Sequence, residues 1–373
     1  MMQSLLRSLK DLLLSIDNSL FASYTDAMDK QQVICSNTYS YPNNPFENHR
    51  IDKGIAEHFN EAKEWQLKEF IYHYQDRCTI DPLTGWAFTP SFQFINHSNY
   101  NRYLHRKKLR LPSYLKYRLY KKNTTRLKTV TPLFYAWNNY FHFYNDIIGA
   151  IHLARKLQIE TTFLLPEEVK TEPYFHEYLE MAPSIASISF YFVKRNEYIQ
   201  AETTFFINTF FAHHHNFDGV KQYIDWNLIA KRTSNYAENI YITRPRGNRG
   251  FANEEAVVQL MEKYQFKAVS FENASVSEQI YTLQHAKNII SIHGAALTNI
   301  IFATPYQTKL IELFSESILN PCYWWMCLDN HIEYAALMCD VEMNSPTPFM
   351  RNIIVDIPLL EQCMKEFMHM PQV

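Results

Sequence analysis

Glycine is scarce in this chain, with seven in 373 residues. That excludes collagen-like and other fibrous architectures and makes the place of each glycine informative. The six cysteines, at positions 35, 78, 322, 327, 339 and 363, form no C-x-x-C pair and no zinc-ligand spacing. Reduced, mostly buried thiols are expected, without disulfides. Low-complexity tracts are missing too, and 47% apolar against 20% charged residues suits a folded protein rather than a disordered one. There is no uninterrupted apolar run of membrane-spanning character. The longest stretch without Lys, Arg, Asp or Glu lies between Lys287 and Lys309. Asn288, Ser291, His293, Thr298, Asn299, Thr304, Pro305 and Gln307 are costly there in hydrocarbon, and Gly294 interrupts it, so it reads as a buried strand, a turn and a helix. The first residues lack a signal peptide's apolar core and cleavage site, which predicts a cytoplasmic protein.

Several catalytic signatures are missing as well. No G-x-S-x-G occurs, and no acid pair of the glycosidase type stands out. His213-His214-His215 invites a metal reading, but on an extended segment neighbouring side chains alternate faces, so no metal site is expected.

What is present begins with charge. The net charge is −2, yet Arg102 to Lys128 holds 11 Lys/Arg and no Asp or Glu, which leaves about −13 for the remainder. Leu104, Leu109, Leu111, Tyr114, Leu115, Tyr117, Leu119 and Tyr120 interleave these cations. The segment suits a peripheral contact with an anionic membrane surface or a phosphate-bearing acceptor, nucleic acid being the less favoured partner, and an ordinary solvated basic face is the bland alternative.

Length favours two domains, and the hydrophobic pattern agrees. Residues 129–137 read as a strand, and 141–157 as a helix with Phe143, Ile147, Ala150, Ile151 and Ala154 on one face. Strands at 161–165, 188–193 and 204–211 and helices at 174–181 and 218–231 complete the first half. The second half alternates more cleanly: strands at 239–243, 267–271, 288–292 and 309–314, separated by helices at 253–264, 276–286 and 295–303. This β-α-β pattern predicts an α/β fold with a parallel sheet covered on both faces, and two such units imply two Rossmann-like domains. The expected division is 1–232, 233–350 and a closing helical segment, 351–373, packing back on the first domain.

In open parallel sheets, ligands gather at the carboxyl ends of the strands. There the second half places Arg244-Pro-Arg246-Gly247-Asn248-Arg249-Gly250, then His293-Gly294 before a helix starting Ala295-Ala296, then Glu312. Phosphate needs positive charge, bidentate donors and free backbone N–H groups, which the arginine loop and a helix start without first-turn acids supply. The helix near Asn253 instead carries Glu254 and Glu255 in its first turn, which would repel a diphosphate. Gly294 lets backbone approach a phosphate closely. Taken singly, each has a structural alternative: a salt-bridged arginine, a satisfied core histidine, a turn glycine, a surface acid.

Together, Arg244…Arg249…Asn253-Glu254, Glu278-Gln279, Ala286…His293-Gly294-Ala295…Leu297-Thr298-Asn299…Phe302 and Glu312-Leu313 resemble the signature of glycosyltransferase family 61. That family includes capsular polysaccharide proteins, eukaryotic O-glycosylation enzymes and plant xylan transferases. The resemblance implies two Rossmann-like domains facing across a cleft (the GT-B architecture) and an inverting hexosyl- or pentosyltransferase with no obligatory cofactor or metal. It implies a nucleoside-diphosphate sugar donor, UDP-sugar first. Arg244, Arg249, His293, Gly294, Ala295, Ala296 and Asn299 would hold the nucleotide diphosphate, and Glu312 would bond the ribose hydroxyls.

Asn138-Asn-Tyr-Phe-His142-Phe-Tyr-Asn-Asp146 resembles the family's other recognisable stretch, a histidine followed four residues later by an acid. That spacing puts His142 and Asp146 on one helical face. Phe143 departs from the tryptophan common there. The expected activity is transfer to a hydroxyl of a glycan or lipid-linked glycan in surface polysaccharide synthesis, with Asp146 favoured over His142 as base. The alternatives are a catalytically silent nucleotide-binding partner of a synthase and an unrelated α/β enzyme acting on phosphorylated substrates.

Overall fold

A computed structural model describes residues 31–40, 50–62, 67–95, 98, 111–230, 237–244 and 249–371. The expectations placed on the N-terminal segment, on 102–110 and on Arg246 and Gly247 lie outside these residues. The chain divides into two compact units. Met1–Thr38, Lys68–Glu172 and Ser184–Phe210 form the first, and Tyr39–Leu67, Pro173–Pro183 and Phe211–Val373 the second.

The second unit follows the sequence pattern closely. Its six-stranded sheet runs in the order Lys267–Val269, Asn239–Ile242, Asn288–Ile292, Lys309–Phe314, Glu333–Met338 and Arg50–Ile51. Every pairing in it is parallel. The two central strands are apolar almost throughout, because helices cover both faces and no alternation survives double burial. Ile290, Ile292, Ile311, Leu313 and Leu337 pack with Val257, Leu260 and Met261 of the helix Glu254–Lys263. Leu360, Cys363, Met364 and Phe367 of the closing helix Ile357–Phe367 join the same core. Its apolar face therefore packs within the second unit. Phe59, on the helix Lys53–Ala62, stacks on Trp324 with ring centroids 5.2 Å apart, so a stretch far ahead in sequence completes this unit.

The first unit departs from the all-parallel expectation. Thr124–Pro132 pairs in parallel with Thr162–Pro166 and Tyr198–Asn208, and Thr162–Pro166 with Phe190–Val193. Leu67–Tyr74 and Cys78–Ile80 add antiparallel to Tyr198–Asn208, which makes the sheet mixed. The α/β class is borne out.

Local differences have local causes. The helix anticipated over 141–157 is Tyr140–His142, a π-helical turn at Phe143–Ile148, and Gly149–Lys156, although Phe143, Ile147, Ala150, Ile151 and Ala154 all lie buried as its periodicity predicted. The helix anticipated over 218–231 starts earlier and splits into His214–Tyr223 and Trp226–Ala230, where Asp225 accepts from Asn227 N–H at 3.1 Å and restarts it. Ala295–Phe302 is a 3₁₀ helix. Between Lys287 and Lys309 lie a buried strand, a turn and this helix, and among the described residues no helix is long and apolar enough to cross a membrane. Five of the cysteines are buried free thiols and Cys35 is half-buried.

Candidate functional site

In the second unit, strand register and helix starts bring the predicted donor residues together around Gly294. Arg244 follows the strand Asn239–Ile242, and Gly294 follows Asn288–Ile292, its parallel neighbour. A Cβ on Gly294 would overlap Nη2 and Cζ of Arg244, so the guanidinium lies directly on this glycine. The glycine's φ of 162° is extended backbone open to any residue. Gly294 is thus needed for space, and the space is taken by an arginine side chain rather than left open to a phosphate, as the sequence suggested.

Burial lowers the Arg244 guanidinium below its ordinary value. Arg249 is pushed down to about 10, by burial first and then by the neighbouring charge of Arg244. Among the described residues neither arginine forms an ion pair with a carboxylate, and Arg249 Nε has no hydrogen-bond partner. Two half-buried cations beside one another are costly unless an anion joins them. The adjoining helix Ala295–Phe302 has no acid in its first turn, its first N–H groups lack intrahelical partners, and Ala295 and Ala296 are partly open to solvent.

Behind this face lies a buried polar relay. His293 Nδ1 lies 2.6 Å from Glu312 Oε1, and the Tyr334 hydroxyl donates to Glu312 Oε2 at 2.6 Å. Glu312 sits in a central strand at 0% exposure, so its carboxylate must be fully partnered within the protein. Both of its oxygens are thus engaged by protein groups. A carboxylate only accepts, so the bond assigns the proton to His293 Nδ1 and leaves Nε2 with the lone pair. Tyr323, unmarked in the sequence because it stands in the apolar run Cys-Tyr-Trp-Trp-Met-Cys, packs on His293 with ring centroids 5.1 Å apart.

Other signature residues support the turn from below. Ser275 and Glu278 form a reciprocal capping box, with Glu278 Oε2 accepting from Ser275 N–H at 2.8 Å. Asn299, fully buried, donates to Gln279 Oε1 at 2.8 Å, and Gln279 Nε2 donates to Ala274 O at 2.9 Å. Asn299 therefore ties two helices together and faces no open surface.

In the first unit, the Asn139 side chain caps the start of the helix by accepting from Phe141 and His142 N–H. His142 Nδ1 meets Asp146 Oδ2 at 2.7 Å, each side chain about one-fifth exposed (20% and 19%). Tyr135 packs edge-on against the imidazole at 4.7 Å. Asp146 lies in the π-helical turn, a rare geometry that recurs at functional sites. The pairing anticipated from the i, i+4 spacing is present.

The three consecutive histidines do gather, contrary to the alternation argument. They start the helix His214–Tyr223, and His213 lies only 4.1 Å from His214 and 4.6 Å from His215 between ring centroids. Structural partners account for much of this: His213 Nδ1 accepts from His215 N–H as the helix cap, and His214 Nδ1 lies 3.4 Å from Asp329. One ring nitrogen from each of the three lies within 4.8 Å of the others.

No curated protein matches the chain. A family model described as Glycosyltransferase 61 matches residues 140–311, a stretch that holds both the His142–Asp146 pair and the arginine and His-Gly-Ala elements. Over residues 140–311 the chain is thus similar to the glycosyltransferase 61 family, which supports a glycosyltransferase role.

Proposed function

We propose that the chain transfers a sugar, with inversion, from a nucleoside-diphosphate sugar to a hydroxyl of a glycan or lipid-linked glycan, and that the donor's diphosphate lies against Arg244, Arg249 and the helix start at Ala295 and Ala296. The observation that carries this reading is the Arg244 guanidinium packed on Gly294 with the half-buried charge of Arg249 near it, neither in an ion pair with a carboxylate among the described residues. Uridine diphosphate is the first nucleotide to try, as the family resemblance suggests.

In this reading Glu312 is a positioning residue that acts through His293. It holds the ring through Nδ1, while Tyr334 holds the carboxylate from the other end. On the acceptor side, the Asp146 carboxylate orients His142 by the same logic and leaves its Nε2 lone pair to take a proton. The imidazole is therefore the base and Asp146 its partner, reversing the preference drawn from sequence. His142 suits a base that takes the proton of an acceptor hydroxyl, and the arginine charges of the second unit suit the negative charge of a departing diphosphate.

The His142–Asp146 pair favours an enzyme over a silent nucleotide-binding partner. A thermal-shift panel of nucleoside mono- and diphosphates tests the donor class: a diphosphate at 100 times its dissociation constant adds about 2.7 kcal/mol of stability. Stabilisation by no nucleotide would remove the reading.

A further inference from the structure

Outside the candidate site, the surface feature least explained by folding is the helix Leu111–Tyr120 in the first unit. Its inward side is fixed by aromatic contacts: Phe92 packs on Tyr114 at 4.9 Å and on Tyr117 at 5.3 Å, and Tyr117 meets Tyr198 at 5.1 Å. That leaves Leu115 and Leu119, one turn apart, facing out at 53% and 78% exposure. Tyr120 beside them is also exposed.

Exposed cations follow these leucines closely along the chain. Lys116 and Arg118 lie on the helix, Lys121 and Lys122 just beyond it, and Arg126 and Lys128 on the outer face of the strand Thr124–Pro132. No Asp or Glu occurs between positions 111 and 128, and among the described residues none of these cations is ion-paired. Lys116 donates to the Arg195 carbonyl at 3.2 Å, which leaves its charge in place.

We propose that this face docks on an anionic lipid surface, with Leu115 and Leu119 entering the headgroup boundary and the surrounding lysines and arginines on lipid phosphates. The charge sign selects the partner. An anionic bilayer satisfies the cations and the exposed aliphatic side chains together. A nucleic acid satisfies the charges but gives two leucines nothing to stack on or bond to. A second copy of this chain docking through the same face brings the same cations and repels. This inference stands on the helix alone and does not depend on the donor-site reading.

The test uses the full chain and vesicles of neutral lipid, alone or with about a third anionic lipid. The protein sediments with the anionic vesicles, stays in solution with neutral ones, and is released by high salt. Leu115→Ser/Leu119→Ser lowers partition at least roughly tenfold, since burial of even one leucine is worth that much. Lys121→Glu/Lys122→Glu lowers it by about fivefold or more for each charge removed. All four positions are on the surface, and an unchanged melting curve shows that the variants fold. Equal sedimentation with both vesicle types, sedimentation with neither, or binding indifferent to both variants overturns the proposal. So does a dimer of the wild type, seen by sedimentation velocity, that the leucine variant dissolves, or salt-sensitive RNA binding that the charge variant alone abolishes.

Discussion

Gly294→Ala is the substitution whose effect follows most directly from the packing. The residue's extended backbone accommodates alanine, so the protein should fold, but the new methyl overlaps the guanidinium of Arg244 and displaces it. If Arg244 holds the diphosphate, the loss is that of a charge-assisted contact, roughly 1.5–3 kcal/mol. That corresponds to a dissociation constant weaker by roughly tenfold to 150-fold. Calorimetric titration of uridine diphosphate measures it, and a double-mutant cycle with Arg244→Ala identifies the cause. Because the glycine acts through the arginine, Gly294→Ala should cost almost nothing further once Arg244 is alanine. An equal loss in both backgrounds would mean that the glycine serves the ligand's approach to backbone, and no loss in either would refute the placement of the site.

Two further outcomes concern the acceptor side and acid stability. His142→Ala should lower turnover at saturating donor by about 10² to 10⁴-fold, with Asp146→Asn milder and nucleotide affinity preserved in both; near-normal turnover in the histidine variant would place the base elsewhere. His213 is held down to about 4, by burial above all, against an ordinary 6.5. Its neutral form is the folded one, so its contribution is complete above pH 6.5 and is lost as pH falls towards 4, while protonation of His214 on Asp329 acts in the opposite sense. His213→Asn keeps a capping side chain and should flatten that acid limb in denaturant titrations; an unchanged limb would show that His213 does not set it.

Most of the second unit was legible in the sequence, because doubly covered parallel strands are continuous apolar runs and their helices carry clear caps such as Ser275 with Glu278. Its edge strand was not. Arg50–Ile51 is two residues long, pairs with Glu333–Met338 across nearly the whole sequence, and leaves no periodicity. The antiparallel strands at Leu67–Tyr74 and Cys78–Ile80 escaped because only long-range pairing defines them. For the candidate site, residue types and spacing singled out His142, Asp146, Arg244, His293 and Gly294, but could not say which groups face one another. Glu312 reads as polar and therefore available, whereas two buried partners consume it. The histidine cluster was misjudged because a helix start, unlike a strand, turns neighbouring side chains towards one side. Tyr323 and Tyr334 stand among apolar neighbours that conceal a polar duty.

The claim that Arg244 and Arg249 form the diphosphate site is tested most directly by titrating uridine diphosphate and uridine monophosphate into the wild type and into Arg249→Ala. The diphosphate should bind the wild type more tightly than the monophosphate, and Arg249→Ala should weaken the diphosphate by roughly tenfold or more, with the fold intact, as expected for one charged contact. Equal affinity of the two proteins for the diphosphate would contradict the account.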